Sequence, residues 1–142
     1  MRLSSPQEFA SQWVTAYNRH DVEAAIALYH EQVINTQLPW GQAVSGREAM
    51  RAIYTRVFQA FPDIVVESRQ VTADGNRVVI EWCFRGTMRG EFAGHAPTNR
   101  AFTLYGCEIF ELSKGRIRIQ RGYWDKATML EQLGVNTIRL PE

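Results

Sequence analysis

A carboxylate near the end of the chain is the first side chain in this sequence that could do chemistry. Asp125 follows an otherwise apolar, strand-like run and precedes a short helical pattern. In that position its side-chain oxygen can cap the helix by accepting a backbone N–H, or the carboxylate can act as a desolvated acid/base. The residues alone leave both roles of Asp125 open.

A pair of opposite charges lies on the two strand-like runs before Asp125. Glu108 and Arg121 are separated by a turn that can be a two-residue loop, Lys114-Gly115, or a three-residue loop. A slip of one residue between these alternatives sends every side chain to the other face of the sheet. We favour the two-residue loop because it collects apolar residues and the opposite charges on one face.

That register makes two predictions about the acidic residues. Glu108 faces Arg121 as a cross-strand ion pair, and a functional alternative is that Arg121 holds a substrate oxygen. Asp125 lies on the core face, where desolvation raises the pKa of a carboxyl group toward values useful to an acid/base. The residues that we expect around Asp125 are Leu104, Phe102 and Trp82.

Other polar and aromatic side chains could contact a ligand or move a proton. His95 lies in a loop, where an imidazole is either merely solvated or a second proton carrier. Tyr17 and Asn35 could donate hydrogen bonds to a substrate oxygen, although Tyr17 could equally be a core residue. Trp40 follows Pro39 in a loop, and an exposed indole there favours a ligand or partner surface that covers it.

The histidines and cysteines do not indicate a metal site. His20, His30, His95, Cys83 and Cys107 show no metal-ligand spacing. The sequence also lacks a Gly-rich phosphate loop and a nucleophile elbow. We therefore expect a protein without a metal.

Length and composition are those of one soluble domain, which we assign to residues 1–142. The chain is 45% hydrophobic and 22% charged, and its net charge of +1 gives no field that would steer it to nucleic acid or to a membrane. The first residues lack an apolar signal segment. The two cysteines lie within predicted strands, and we favour reduced core thiols over a disulfide. We therefore expect a cytoplasmic protein.

Helices dominate the first half of the pattern and strands the second. Capping signals and helical spacing predict helices that begin at Pro6, after Asp21 and at the capping-box pattern Ser45-Gly46-Arg47-Glu48, with a short strand at 33–37 before the third. Alternating apolar residues predict strands at 63–72, 77–88, 100–112 and 116–124, followed by a helix at 126–133. This order predicts an α+β domain with helices on one face of a curved antiparallel sheet.

Several segments of the second half carry the motifs of a known family. They are RGTMRGEFAGHAPTNR (85–100), LYGCEIFEL (104–112), GRIRI (115–119) and YWDKATMLEQLG (123–134). With the order of elements over residues 6–134, they resemble the SnoaL-like polyketide cyclases of the nuclear-transport-factor-2-like superfamily. The family typically has a G-T-H-x-G-x-F-x-G-x-x-P-T-G-[RK] loop, a G-x-[DE]-I-F strand, and an acidic residue before a helix that ends L-x-Q-L-G.

Three positions depart from the family pattern. Met88 stands where a histidine is common, and Asn99 stands where a glycine is common. Gly122 stands where a further acidic residue is often found, three positions before Asp125. These departures bear on the substrate rather than on the fold.

The resemblance implies both a shape and a reaction. The shape is a cone-shaped curved antiparallel sheet, with three N-terminal helices packed on its concave face and a short C-terminal helix. Characterised relatives close a ring by intramolecular aldol condensation, in which a base removes a proton between two carbonyls without a cofactor. By resemblance Asp125 is that base, and His95 could assist it.

We therefore expect an enzyme that acts on a small hydrophobic or aromatic polycarbonyl ligand. The alternatives are a ketosteroid-isomerase-like enzyme, an epoxide-hydrolase-like enzyme in which Glu108, Arg121 and Asp125 form an acid–Arg–acid set, or a non-catalytic apolar-ligand-binding module. The side chains predicted to contact the substrate are Tyr17, Asn35, Trp40, Trp82, Phe102, Leu104, Glu108 and Arg121.

The outward face of the long strands predicts self-association. Cys83, Tyr105, Cys107 and Ile109 lie among polar residues on that face. A face of this composition is too apolar for open solvent and suits sheet-to-sheet packing. We expect a homodimer or a homotetramer.

Overall fold

The first helix begins at the capping residue that the sequence indicates. Ser5 accepts a hydrogen bond from the backbone N–H of Glu8, and Pro6 occupies the first turn. The computed structural model describes residues 5–135. Its helices are α1 (Pro6–Asn18), α2 (Val22–Ile26), α3 (Arg47–Ala60) and α4 (Lys126–Leu133).

The strands form one mixed sheet. They are β1 (Tyr29–Gln37), β2 (Ala43–Ser45), β3 (Val65–Asp74), β4 (Arg77–Thr87), β5 (Ala101–Ser113) and β6 (Arg116–Trp124). Their order across the sheet is β2-β1-β6-β5-β4-β3. The predicted α+β fold, an open curved sheet with helices, is confirmed. All neighbours are antiparallel except β1 and β6, whose parallel pairing departs from the expected sheet.

Local signals predicted most of the element boundaries. The bounds of β6 and α4 are those predicted, and Gly134 ends α4 in the left-handed conformation with φ 74°. Strand β1 begins at Tyr29 rather than at residue 33, and the short strand β2 was not predicted. A strand of 3 residues is too short to show an alternating pattern.

A β-bulge in β6 overturns the register that we predicted for the last hairpin. The two-residue turn is present, and Leu112 lies opposite Ile117 as expected. The pairing then shifts by one residue, so that Phe110 faces Gln120 instead of Ile119. The neighbouring strand β1 is irregular beside the same part of β6, so the bulge fits β6 to both of its partners.

The shift changes which residues of β6 face the core. Glu108 lies opposite Gly122 and not opposite Arg121, so the predicted cross-strand pair is wrong. Arg121 lies on the outer face, where its Nη1 is 3.0 Å from a carboxylate oxygen of Glu111. Because side chains alternate along a strand, the bulge sends every following residue of β6 to the face opposite the one predicted.

An aromatic core lies between the inner face of the sheet and the helices. The ring of Phe110 packs edge-on against Phe9 and Trp13, with centroids 5.1 and 5.4 Å away. Tyr29 and Phe61 are also almost fully buried. Burying each such ring contributes about 2–3 kcal/mol, so this core holds α1 and α3 against the sheet.

The outer face of the sheet is partly apolar. Tyr105 is 59% exposed and Tyr123 is 42% exposed, whereas Cys107 and Ile109 are half-buried. Cys83 pairs with Tyr105 across β4 and β5 but is buried. Both cysteines are free thiols. In the described part of the chain, no helix has the length and apolar character required to span a membrane.

Candidate active site

A buried carboxylate lies at the centre of the inner face of the sheet. Glu108, on β5, is 4% exposed. One of its oxygens, Oε1, accepts hydrogen bonds from Nε2 of Gln37 at 2.6 Å and from Nε2 of Gln120 at 2.8 Å. The other oxygen, Oε2, accepts a hydrogen bond from the indole Nε1 of Trp82 at 3.0 Å. Strands β1, β4 and β6 thus each supply a donor to a carboxylate on β5.

A chain of hydrogen bonds fixes the orientation of Gln120. The hydroxyl of Tyr29 donates to Oε1 of Gln120 at 2.6 Å, which leaves the amide nitrogen facing Glu108. Tyr54 lies 2.8 Å from the Tyr29 hydroxyl, and Nε1 of Trp13 donates to Tyr54 at 3.4 Å. The indole of Trp13 can only donate, and the Tyr29 hydroxyl donates to Gln120, so the Tyr54 hydroxyl between them donates to Tyr29. Every donor in the series therefore points toward Glu108.

The orientation of Gln37 is fixed from the other side of the site. Nε1 of Trp124 donates to Oε1 of Gln37 at 2.9 Å, so the amide nitrogen must face the acceptors. These are Oε1 of Glu108 and, at 2.9 Å, Oδ1 of Asn35. The Gln37 amide also fills the space above Gly122, where an added Cβ would lie 1.9 Å from its Oε1. Only glycine at 122 leaves room for this amide.

The groups around Glu108 stabilise the ionised carboxylate by hydrogen bonds, and within residues 5–135 it forms no ion pair. Burial raises the pKa of Glu108 above its ordinary value, and the hydrogen bonds from Gln120, Gln37 and Trp82 oppose that rise without cancelling it. In this orientation every partner donates, so a proton on Glu108 has no acceptor among them. A carboxyl group in such surroundings can exchange a proton with a bound molecule.

Tyrosine hydroxyls near the site remain protonated. Burial raises the pKa of Tyr54 to about 12 and raises those of Tyr17 and Tyr29 as well. Tyr17, predicted to contact substrate, packs with its ring 5.6 Å from that of Tyr54 and 5.0 Å from that of Phe84. Asn35, also predicted to bind substrate, is buried and donates to the sulfur of Met50 at 3.5 Å.

The structure does not bring Asp125 into this site. Asp125 is exposed and caps α4, where Oδ1 accepts the backbone N–H groups of Ala127 and Thr128. Oδ2 accepts the hydroxyl of Thr128 at 2.9 Å, and these bonds lower the pKa of Asp125. The predicted core-face position is wrong because the bulge and the start of the helix turn the side chain to solvent. The capping alternative is confirmed.

Neither His95 nor Arg121 is among the hydrogen-bond partners of the buried carboxylate. His95 is half-buried in the loop between β4 and β5, where its backbone pairs with that of Phe92. Arg121 lies on the outer face with Glu111, so it cannot hold a substrate oxygen beside Glu108. Glu108, Arg121 and Asp125 therefore do not form the acid–Arg–acid set that an epoxide hydrolase would need.

The remaining predicted contacts line the inner face or its edge. Trp82, Phe102 and Leu104 are buried on the inner face, as expected. Trp40 is 41% exposed, and its ring centroid lies 5.5 Å from that of Trp124. Within residues 5–135 no group of His, Cys, Asp and Glu side chains could hold a metal ion.

Glu108 is enclosed in this structure. A surface groove of about 410 Å³ lies on β3 and β4 beside Glu67 and Arg69, and another of about 320 Å³ lies on α1 and α2. Neither groove includes a residue that contacts Glu108. A ligand would reach the carboxylate only after side chains such as Trp82 or Gln37 move.

Sequence reasoning missed much of the site around Glu108. Gln37, Gln120, Trp124 and Tyr29 were not predicted as functional residues. A lone glutamine within a strand has no chemical signature, and only the parallel pairing and the bulge turn both amides toward one carboxylate. The glycine at 122 was the available signal, because it marks space that another side chain can fill.

Comparisons with known proteins agree with the fold and the motifs. The sequence model of the SnoaL-like polyketide cyclase family matches residues 7–133. The structure is similar to IdmH, a candidate polyketide cyclase from Streptomyces antibioticus, with 25% identity, a TM-score of 0.78, and coverage of 93% of this chain and 100% of that one. No curated protein sequence matches significantly.

Two further solved structures share the fold at lower identity. One is a candidate SnoaL-like polyketide cyclase from Jannaschia sp. CCS1, with 20% identity, a TM-score of 0.83, and coverage of 96% of this chain and 99% of that one. The other is an LEH-like epoxide hydrolase from M. tuberculosis, with 17% identity, a TM-score of 0.72, and coverage of 89% and 86%. Since the family model covers most of its length, this chain belongs to the SnoaL-like polyketide cyclase family.

Proposed function

We propose that this protein is a cofactor-free enzyme that removes a proton from a carbon next to a carbonyl group, with Glu108 as the acid/base. The observation that carries the proposal is a buried carboxylate that accepts hydrogen bonds from three donors and, within the described residues 5–135, forms no ion pair. Burial raises its pKa, as a base that must later return its proton requires. Glu108 replaces Asp125 as the proposed base because Asp125 is an exposed helix cap.

The two oxygens of Glu108 differ in what they can do. Oε1 already accepts two amide protons, whereas Oε2 accepts only the indole proton of Trp82. Oε2 therefore keeps acceptor capacity for a substrate proton. Removing that proton leaves an enolate, and in an aldol reaction the enolate carbon forms a bond to a second carbonyl carbon of the same substrate. The alkoxide oxygen formed from that carbonyl then takes a proton from the Glu108 carboxyl group, which returns to the carboxylate.

The class of substrate follows from the surroundings of Glu108. Trp82 donates to Glu108, Ile80 lies opposite it on β4, and both are buried on the inner face, which suits a hydrophobic or aromatic polycarbonyl molecule. Family membership supports ring closure by aldol condensation as the reaction. The small hydrophobic ligand is thus part of the proposal, together with a cytoplasmic location and a single domain over residues 1–142.

A ketosteroid-isomerase-like proton transfer is the second candidate, because the same carboxyl group could return the proton to another carbon. The epoxide-hydrolase alternative is weaker, since Arg121 lies on the outer face with Glu111. A non-catalytic apolar-ligand-binding module would bind a ketone without exchanging its protons. Proton exchange therefore separates the enzymes from the binding module.

The test is deuterium exchange at carbon, measured by NMR with 2-tetralone as a hydrophobic ketone in D₂O. The wild-type protein should speed the loss of the α-proton signal, and Glu108→Gln should lower the catalysed rate by about 100-fold or more. Glu111→Gln, on the outer face of the same strand, is the matched control and should keep the rate. Equal rates of deuterium exchange with Glu108→Gln and with the wild type would contradict the proposal.

We also propose that two copies of the chain associate through the outer face of the sheet. The support is the exposure of Tyr105 and Tyr123 beside the half-buried Cys107 and Ile109. Charged side chains such as Glu67, with Arg85 Nη1 3.7 Å away, lie on the same side of the sheet. A face on which exposed aromatic side chains alternate with charges of both signs suits pairing of identical surfaces.

A further inference from the structure

A second aromatic cluster lies at the edge of the sheet, outside the buried core. Trp40, in the loop after β1, has its ring centroid 6.0 Å from Phe92 and 5.5 Å from Trp124. Trp40 is 41% exposed, and both partners are half-buried. The Nζ of Lys126 lies 5.4 Å from the centroid of the Trp40 ring. We call Trp40, Phe92, Trp124 and Lys126 the aromatic edge.

The position of Lys126 is not explained by the stability of its helix. Lys126 is the first residue of α4, and a cation at the N-terminal end of a helix opposes the helix dipole. Its neighbour Asp125 directs both carboxylate oxygens to Ala127 and Thr128. Among the ion pairs of residues 5–135, none includes Lys126. The ammonium group therefore remains available to a negative charge.

The aromatic edge is connected to the buried carboxylate through two hydrogen bonds. Nε1 of Trp124 donates to Gln37 at 2.9 Å, and Gln37 donates to Glu108 at 2.6 Å. On the other side, Phe92 packs against the buried Phe61 with centroids 4.9 Å apart. A flat molecule that rests on Trp40 would thus contact Trp124, which is linked to Glu108 through the side chain of Gln37.

We propose that the aromatic edge is a recognition subsite for a planar aromatic ligand that carries an anionic oxygen, such as a carboxylate. The rings supply a stacking surface, and Lys126 supplies the charge that selects an anion over its neutral analogue. The subsite deepens the proposed function, and it rests on that function only for the idea that the bound molecule extends to Glu108.

The experiment is a titration with 2-naphthoate and with its neutral analogue 2-naphthamide, followed by intrinsic tryptophan fluorescence and by calorimetry. Wild-type protein should bind 2-naphthoate more tightly than 2-naphthamide. Lys126→Gln should weaken 2-naphthoate binding by roughly 5-fold and leave 2-naphthamide unchanged. Lys114→Gln, which removes the charge of a lysine in the hairpin turn, is the matched control and should bind both probes like the wild type.

Trp40→Leu tests the stacking surface separately and should weaken the binding of both 2-naphthoate and 2-naphthamide. Circular dichroism and melting temperature confirm that each variant is folded. Equal affinity of the wild type for the two probes, or unchanged 2-naphthoate binding in Lys126→Gln, would overturn the subsite.

The outcome is independent of the proton-exchange test. Binding that depends on Lys126 in a protein without exchange activity would uphold the subsite and reject the proposed base. Exchange activity without such binding would uphold the base and reject the subsite.

Discussion

Two carboxyl groups in this chain show how surroundings decide the role of one residue type. Glu108 is buried, and desolvation raises its pKa despite three donors. Asp125 is exposed at the start of α4, where bonds from Thr128 and Ala127 lower its pKa. The first holds a proton to a higher pH than an ordinary glutamate, and the second stays ionised as a cap.

We expect Glu108 to make the protein less stable as the pH rises. Its pKa is raised in the folded state, so the folded protein holds this proton at pH values where the unfolded chain, with an ordinary pKa of about 4.3, has lost it. The protonated Glu108 therefore contributes its full stabilisation at pH values below its pKa in the unfolded chain. That contribution is lost as the pH rises through its higher pKa in the folded protein. Urea unfolding over a pH series should show this decline in the wild type.

Two variants test whether Glu108 causes the decline of stability with rising pH. Glu108→Gln should flatten the decline because it removes the titrating group. Glu111→Gln, which changes an acid on the outer face of the same strand, should keep it. A decline of the same size in Glu108→Gln would contradict the assignment of the raised pKa to Glu108.

For Asp125 the expected pH dependence has the opposite sign. Its lowered pKa means that its contribution is present above the unfolded pKa and is lost as the pH falls through the folded pKa. Asp125→Ala should lower the melting temperature by a few degrees at neutral pH and by less in acid, while Asp125→Asn should cap the helix nearly as well. Both variants should keep tetralone exchange, and loss of exchange in Asp125→Asn would restore Asp125 as the candidate base.

At the scale of the residue, sequence could identify Glu108 as a functional candidate but could not identify its partners. An acid within an apolar strand is visible in the sequence because charged residues are rarely buried. The donors Gln37 and Gln120 are ordinary polar residues until the fold brings them together from strands β1 and β6. Their separation along the chain explains why no local motif contains them.

The elements were predictable where their signals are local. Ser5 and Asp125 cap helices at the expected residues, and the two-residue turn of the last hairpin is present. The bulge in β6 and the parallel pairing of β1 depend on contacts between distant segments, so sequence periodicity does not reveal them. Because of this bulge, Arg121 lies on the outer face with Glu111, and Gln120 lies on the inner face and donates to Glu108.

Because β1 pairs with β6, Gly122 lies against Gln37 and leaves the space that the Gln37 amide occupies beside Glu108. A Cβ at this position would meet the end of the Gln37 side chain, which can move, so Gly122→Ala should fold with the Gln37 amide displaced from Glu108. Loss of that donor should raise the pKa of Glu108 further, which carboxyl NMR titration would measure. In a Gln37→Ala background the same substitution should have little effect on this pKa. An unchanged pKa in Gly122→Ala alone would contradict the positioning role of Gln37.

At the scale of the whole molecule, the outer face of the sheet should control association. Tyr105→Glu places a charge in the middle of this face and should shift the protein to monomer, as measured by analytical ultracentrifugation. Leu38→Glu changes another exposed hydrophobic residue, which lies in the loop after β1, and serves as the control. A monomeric wild type, or an unchanged assembly in Tyr105→Glu, would contradict the proposed dimer.

The parallel pairing of β1 and β6 has a consequence for the order of folding. The bond between Tyr29 and Gln120 spans 91 positions, and the bond between Gln37 and Glu108 spans 71. Contacts of such long range close large loops and slow the folding of a chain. In the hairpin of β5 and β6 alone, Glu108 would lack the donor that Gln37 supplies from β1. The surroundings that raise the pKa of Glu108 therefore assemble only when the first and last parts of the chain meet, and nascent chains should lack this raised pKa.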